Sequence, residues 1–192
     1  NAQIARSLAT SVIGGVKPAP ATERMTRARL GEILTPVMLV TIDNTGHQAP
    51  VAEIQTNGGV ATWSSVDDTT ISLRNGVIVA TRGFGADLMA ATVPAVSRLS
   101  SGAKGHMRVH TLLNGEDQAV QTRFSCTMQS AGTKAIDIVE VIYQTTHVIE
   151  SCEAGDVTFR NEYWIAGDEK IRKSKQWISA DVGFLTIEDV RR

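Results

Sequence analysis

Charge of one sign, long apolar runs, aromatic rings and cysteines are all in short supply in this sequence, and each shortage excludes something. Nineteen Lys and Arg against twenty Asp and Glu leave a formal charge of −1, without the basic surplus of a dedicated nucleic-acid binder. No stretch approaches the roughly 18 uninterrupted apolar residues of a membrane-crossing helix. The opening residues lack the basic-then-apolar order of a secretory leader. The two cysteines, Cys126 and Cys152, make no Cys-x-x-Cys or Cys–His spacing of a metal or redox centre. What is present is a composition 42% hydrophobic and 20% charged over 192 residues. That suffices for one full-sized folded domain, or two small ones, with a sizeable core.

The chain divides by its punctuation. Residues 1–36 read as a helical segment. Ile4, Leu8 and Ile13 fall near helical spacing over residues 3–13, and Gly14-Gly15 stops that run. Residues 17–21, with Pro18 and Pro20, form a stiff connector. Thr22 is placed to cap a second helix reaching about Leu34, with Met25, Ala28, Leu30 and Ile33 as its apolar positions and Arg24, Arg27 and Arg29 on its polar side. Pro36 ends it.

From residue 37 to residue 192, turn-forming pairs recur: Asn44-Thr45-Gly46, Asn57-Gly58, Asn75-Gly76, Asn114-Gly115, Ala131-Gly132, Ala154-Gly155-Asp156 and Ala166-Gly167-Asp168. Asn-Gly suits a two-residue hairpin, whose central positions need positive φ. Between the turns lie segments rich in Val, Ile, Thr and aromatics, the residues that fit a pleated surface. They predict strands over 37–43, 60–66, 70–73, 77–82, 107–113, 119–129, 135–150, 157–165, 171–178 and 185–190. Connections this short join antiparallel neighbours. The expected fold is mainly β: a meandering antiparallel sheet forming a sandwich or open barrel, with N-terminal helices and one short helix over 86–97 broken at Pro94.

The search for a reactive centre returns little. His106 and His110 stand at i, i+4, but their segment reads as strand, where four residues span about 13 Å, too far to share one zinc. They read instead as solvated strand-end histidines. No metal, cofactor or catalytic residue is therefore assigned. Gly83-Phe84-Gly85 lacks a third glycine and a β-α-β setting, and reads as a turn rather than a phosphate cradle. No Gly-x-Ser-x-Gly elbow occurs. Asp67-Asp68 and Glu150/Glu153 are the carboxylate pairs available to a glycosidase, and acids so placed are ordinarily solvated. Glu140, flanked by Ile138 and Ile142, reads as a paired or edge-exposed acid on a strand. Cys126 and Cys152 are either two buried thiols or a disulfide closing a loop of about 27 residues. In the chain-entropy model the latter contributes roughly 3–4 kcal/mol, and it would place the protein outside the cytosol.

The few aromatic residues are informative by position. Val157, Phe159, Tyr163 and Ile165 alternate onto one strand face, which leaves Trp164 on the other with Arg160 and Glu162. An indole beside hydrogen-bonding side chains can stack on a pyranose ring. Trp63 lies between Ala61 and Ser65, and Trp177 follows Gln176. The three indoles either fill a second core or share a solvent-open groove.

Two runs resemble a known family. Arg74-Asn75-Gly76-Val77-Ile78-Val79-Ala80-Thr81-Arg82-Gly83-Phe84-Gly85-Ala86-Asp87-Leu88 resembles the nGxixxTxGxGxDL segment of the YjbF/GfcB lipoproteins. Asn161-Glu162-Tyr163-Trp164-Ile165, followed by Ile171-Arg172-Lys173-Ser174-Lys175-Gln176-Trp177, resembles that family's C-terminal signature. The likeness covers most of residues 37–190. The cysteine pair and Trp177 fit a subset of the family. The resemblance implies an exported protein, lipid-anchored at the periplasmic face of the Gram-negative outer membrane after removal of a signal peptide. The lipid-bearing cysteine is not within this chain. The resemblance also implies a non-enzymatic role in exopolysaccharide or group 4 capsule production or export. The expected partners are a polysaccharide and an outer-membrane export protein, with no nucleic acid. Trp164, Trp177, Gln176 and Arg82 are the candidate contacts. An apolar-ligand carrier with a dry cavity is the alternative, and a glycan-processing enzyme comes third.

Overall fold

Almost every connection is a tight reversal, so the chain builds its sheet by laying each strand against the last. The computed structural model describes residues 25–31, 33, 35–101 and 105–190. The expected helix over 3–13, the connector and the Thr22 cap lie outside the described residues. A short helix, α1 (Arg27–Gly31), precedes β1 (Val37–Ile42), β2 (His47–Asn57), β3 (Val60–Ser64), β4 (Thr70–Arg74), β5 (Val77–Arg82) and β6 (Leu88–Thr92). Then come α2 (Val96–Ser101), β7 (His106–Leu113), β8 (Ala119–Ile138), β9 (Val141–Ala154), β10 (Val157–Ala166), β11 (Ile171–Ser179) and β12 (Gly183–Asp189). All belong to one twelve-stranded sheet in the order β5-β4-β3-β2-β1-β12-β11-β10-β9-β8-β7-β6. Every pairing is antiparallel, including β1 with β12, where Met38 faces Asp189. The expected mainly-β meander is therefore the fold, curled into a nearly closed barrel.

The edges that remain, β5 and β6, are consecutive in the chain, and side chains fasten them. The Thr81 hydroxyl accepts from the Leu88 amide at 3.0 Å and donates to Asp87 Oδ1 at 2.8 Å. Arg82 donates to the carbonyls of Thr81 and Leu88. Asp87 in turn accepts from the amides of Gly83 and Phe84, so Gly83-Phe84-Gly85 is a turn built around a carboxylate. Lower on β5 a partner from the opposite wall replaces the missing neighbour. Gln176 accepts from the Ile78 amide and donates to the Gly76 carbonyl, each at 2.9 Å. Gly76 has φ +85°, which favours glycine, and an ideal Cβ there would sit a tight 3.0 Å from the Ile171 side chain.

Four corrections to the sequence reading have physical causes. The segment 86–97 is not one helix: Leu88–Thr92 is strand and the helix starts at Val96. Its Leu, Met and Ala favour helix locally, but the β7 edge supplies a ladder that overrides propensity. β2 was not expected, because it carries Pro50 and only Val51 is fully buried. Ala131-Gly132 is a bulge inside β8, where the register to β9 shifts between Ser130 and Thr133. The reversal instead falls at Val139-Glu140, both at positive φ (46° and 66°). Glu140 is thus an exposed turn residue, not a strand residue.

Arg27 of α1 holds that strained turn from outside, donating to the carbonyls of Ile138, Val139 and Val190. The end of the β8–β9 hairpin packs Ile136 and Ile138 onto Val37, Leu39, Trp164 and Val190, an apolar layer outside the barrel. Inside, Met38, Val40, Val51, Trp63, Ile71, Leu73, Ile78, Leu185 and Ile187 fill one side. Val77, Val148, Tyr163 and Ile165 meet Val96 and Leu99 of α2 on the other.

Candidate functional site

Strands β7 to β11 carry polar groups into the interior. Strand alternation puts Val148, Glu150 and Cys152 of β9 on the inner face with Phe159, Asn161 and Tyr163 of β10. Glu150 is completely buried and surrounded by donors. His106 Nε2 lies 2.6 Å from Oε1, while Arg108 Nη1 (2.8 Å), Asn161 Nδ2 (2.8 Å) and Tyr163 OH (2.9 Å) donate to Oε2. Burial alone pushes this carboxyl up. The Arg108 charge and the bonds from His106, Asn161 and Tyr163 outweigh burial and hold its pKa at about 2. Asn161 passes the network on, its Oδ1 accepting from the Trp177 amide at 2.8 Å.

Above this network Cys126 and Cys152 face each other across β8 and β9 and are joined by a disulfide with Cα atoms 4.1 Å apart. Next to it His110 stacks on Trp177 and Phe159 and meets Phe124 edge-on. Neither ring nitrogen of His110 has a hydrogen-bond partner among the described residues. Burial, reinforced by the Arg108 charge, lowers its pKa to about 3, so it is neutral at physiological pH.

The β10–β11 ladder runs only from Glu162↔Lys175 to Ile165↔Ile171, although both strands continue past Glu162 and Lys175. The walls part there, and the Trp177 ring turns inward onto Phe159, 4.6 Å away and nearly parallel. Beside this parting the outer face carries a groove of about 590 Å³ lined by Ser125, Thr127, Ser151, Glu153, Thr158 and Arg160 of β8–β10 with Phe184 of β12, and bordered by Cys152 and Phe159. Hydroxyls, one acid and one base beside the half-buried ring of Phe184 can bind a polyhydroxylated ligand, with an apolar C–H face on that ring and oxygens on the walls.

The structure separates the four contacts expected from the sequence. Trp164 lies on the outer face as expected, but it is 8% exposed because the β8–β9 arm covers it; its ring stacks on His147 at 4.6 Å. Gln176 is 1% exposed and serves the β5 edge. Arg82 is exposed at the seam, its guanidinium on backbone carbonyls. Trp177 alone lies behind the groove. Trp63 fills the opposite core, so the three indoles do not share a surface.

The other candidates disperse as well. Glu150 faces inward and Glu153 outward, so they form no facing pair of carboxylates. His106 and His110 are not solvated: inward-facing positions on β7 bury both side chains, His106 against Glu150 and His110 in the aromatic stack. The group His106, Cys126 and Glu150 has ligand-type atoms within 4.8 Å of one another, but the disulfide occupies the Cys126 sulfur. A second space of about 700 Å³ at the α2 end sets Met38, Trp63 and Leu73 beside Glu53, Glu169, Lys170 and Asp189; it is not the dry chamber an apolar-ligand carrier needs. Arg108 and Phe184 had no part in the sequence reading, and Asn161 entered it only within the family's C-terminal signature. Asn161 was legible in principle, as the one polar residue between Phe159 and Tyr163 on an inward face.

These features define a nearly closed antiparallel β-barrel domain with a braced polar interior and a polar groove on its wall. The chain belongs to the family described as group 4 capsule polysaccharide lipoprotein gfcB, YjbF, whose model matches residues 5–190. The resemblance read from residues 74–88 and 161–177 is thereby established, and the family is one of lipoproteins tied to capsule polysaccharide, with no known catalytic role. Among solved structures the chain is similar to the hypothetical lipoprotein YmcC from Escherichia coli K12. The TM-score is 0.74 at 16% identity, covering 86% of this chain and 88% of that one, which is a likeness of fold. No curated protein matches. Membership in a lipoprotein family implies a lipid anchor in a membrane.

Proposed function

We propose that this protein is a non-catalytic accessory lipoprotein of exopolysaccharide or capsule production or export, anchored at the periplasmic face of the outer membrane. It works by binding glycan in the groove where β10 and β11 part. Family membership supports the polysaccharide context. The observation that carries the binding mode is the makeup of the groove: Ser125, Thr127, Ser151 and Thr158 around Glu153 and Arg160, beside the half-buried ring of Phe184. Sugars need both an apolar face for their C–H groups and a dense set of donors and acceptors for their hydroxyls, and this groove has both. The interior network supports the reading by fixing the groove, since Asn161 ties the Glu150 cluster to the backbone of Trp177.

Calorimetric titration with capsule oligosaccharides, followed in parallel by indole fluorescence, tests this. Binding in the micromolar to millimolar range with a change in emission is expected, and Phe184→Ala should weaken it by about tenfold, the scale of one lost ring contact. An absence of heat and of fluorescence change at millimolar sugar overturns the reading.

A further inference from the structure

The groove lining holds one base, Arg160, and one acid, Glu153, and a second base, Arg123, stands beyond it on β8. Arg160 faces Ser151 across the β9–β10 ladder, and Ser151 faces Thr127, which makes one row on the outer surface. Glu153 faces Thr158 and Ser125 in the next row, two residues along, or about 7 Å away. Arg123, two residues beyond Ser125 on β8, begins the row after that. All these residues are exposed. Neither Arg123 nor Arg160 makes an ion pair or side-chain hydrogen bond among the described residues, and neither does Glu153. Glu162, the next acid on the same face as Arg160, is already engaged by His147 at 2.7 Å.

Two guanidiniums with no ion pair, and Glu153 alone in the row between them, leave this wall of hydroxyls with a net positive charge that favours an anion. A neutral sugar gains little from a guanidinium fork, whereas a carboxylate matches it with two parallel, charge-assisted bonds. We propose that the groove selects an anionic glycan bearing ring carboxylates, that is, uronic acid residues; this rests on the glycan reading above. Arg160 grips one carboxylate with the Thr127 and Ser151 hydroxyls beside it. Glu153 accepts hydroxyl protons from an adjoining sugar unit. Arg123 meets the next negative group along the chain.

Oligogalacturonate and its fully methyl-esterified form share one backbone and differ in charge, so they isolate the claim. By calorimetry in 50 mM salt, the acid form should bind about tenfold more tightly than the ester. In 300 mM salt that advantage should shrink, as exposed charges are screened. Arg160→Gln should remove most of the acid's advantage over the ester with the melting temperature unchanged, and Arg123→Gln should do so in part. Equal binding of acid and ester overturns the selection for carboxylate and leaves the glycan reading standing. Loss of both ligands in Arg160→Gln, with an unchanged melt, also overturns the charge argument. Failure of both forms to bind the native protein at millimolar concentration overturns both readings.

Discussion

The β1–β5 side of the barrel and the β7–β10 side are made by the same meander, yet they bury different chemistry. The first packs Val40, Val51, Trp63, Ile71, Leu73 and Ile78 in an apolar core that any well-filled sheet would recognise. The second buries a carboxylate, a guanidinium, an asparagine, a neutral histidine and a disulfide. Apolar residues of similar volume generally stabilise a fold at least as well as a buried ion pair does. The second side therefore trades plain packing for geometry. Its groups tie β7, β9, β10 and β11 to one another by directed bonds, just where the β10–β11 ladder gives out and the groove opens. The polar side holds a shape; the apolar side holds the fold.

That contrast can be broken at Glu150. Glu150→Ala leaves Arg108 as a buried charge without its partner, and a loss of about 3–5 kcal/mol in urea unfolding is expected. A loss below 1 kcal/mol would mean that the network bears no structural weight. The disulfide comes next. Reduction, or the double change Cys126→Ala with Cys152→Ala, should lower stability by roughly 3 kcal/mol for a loop of this length, measured by the same unfolding with and without reductant. The apolar side offers no counterpart.

Acid sharpens the comparison further. His110 has its pKa lowered from 6.5 to about 3, so between those values the unfolded chain binds a proton that the native one refuses. Stability then falls as pH falls, by about 2 kcal/mol between pH 7 and pH 5. The Glu150 carboxyl, lowered from 4.5 to about 2, adds loss of the same sign below pH 4.5. His110→Phe keeps the ring stack and should flatten the slope between pH 6.5 and 4.5, leaving only the Glu150 contribution below that. An unchanged slope would show that His110 does not titrate as its burial requires. The smallest effect belongs to the bridge between the two sides. Gln176→Ala leaves the Ile78 amide and the Gly76 carbonyl without partners, at a cost of about 1–2 kcal/mol, read from thermal melting.

Much of the scaffold was legible locally. Asn57-Gly58, Asn75-Gly76 and Gly155-Asp156 mark reversals because their backbones accept positive φ at little cost. Val139-Glu140 was illegible for the converse reason: nothing in a β-branched residue announces a left-handed turn, and Arg27, more than a hundred residues away, holds it. The same distance hid the interior network. Glu150 sits between Val148 and Cys152 on an inward face, a pattern visible in sequence, but its partners arrive from β7 and β10. Trp164 shows the limit of reading faces alone. Its side of the strand was assigned correctly, yet an arm folded over that side from the next hairpin decided its exposure.

The carboxamide of Gln176 has a bearing on how this cylinder breathes. A row of paired main chains must come apart several links together, whereas one side chain releases its hold by a change of rotamer. Solvent deuterium should therefore reach the Ile78 amide sooner than the amides of the central β12, and a lateral breach of the wall would start there, with β9 and β10 still joined.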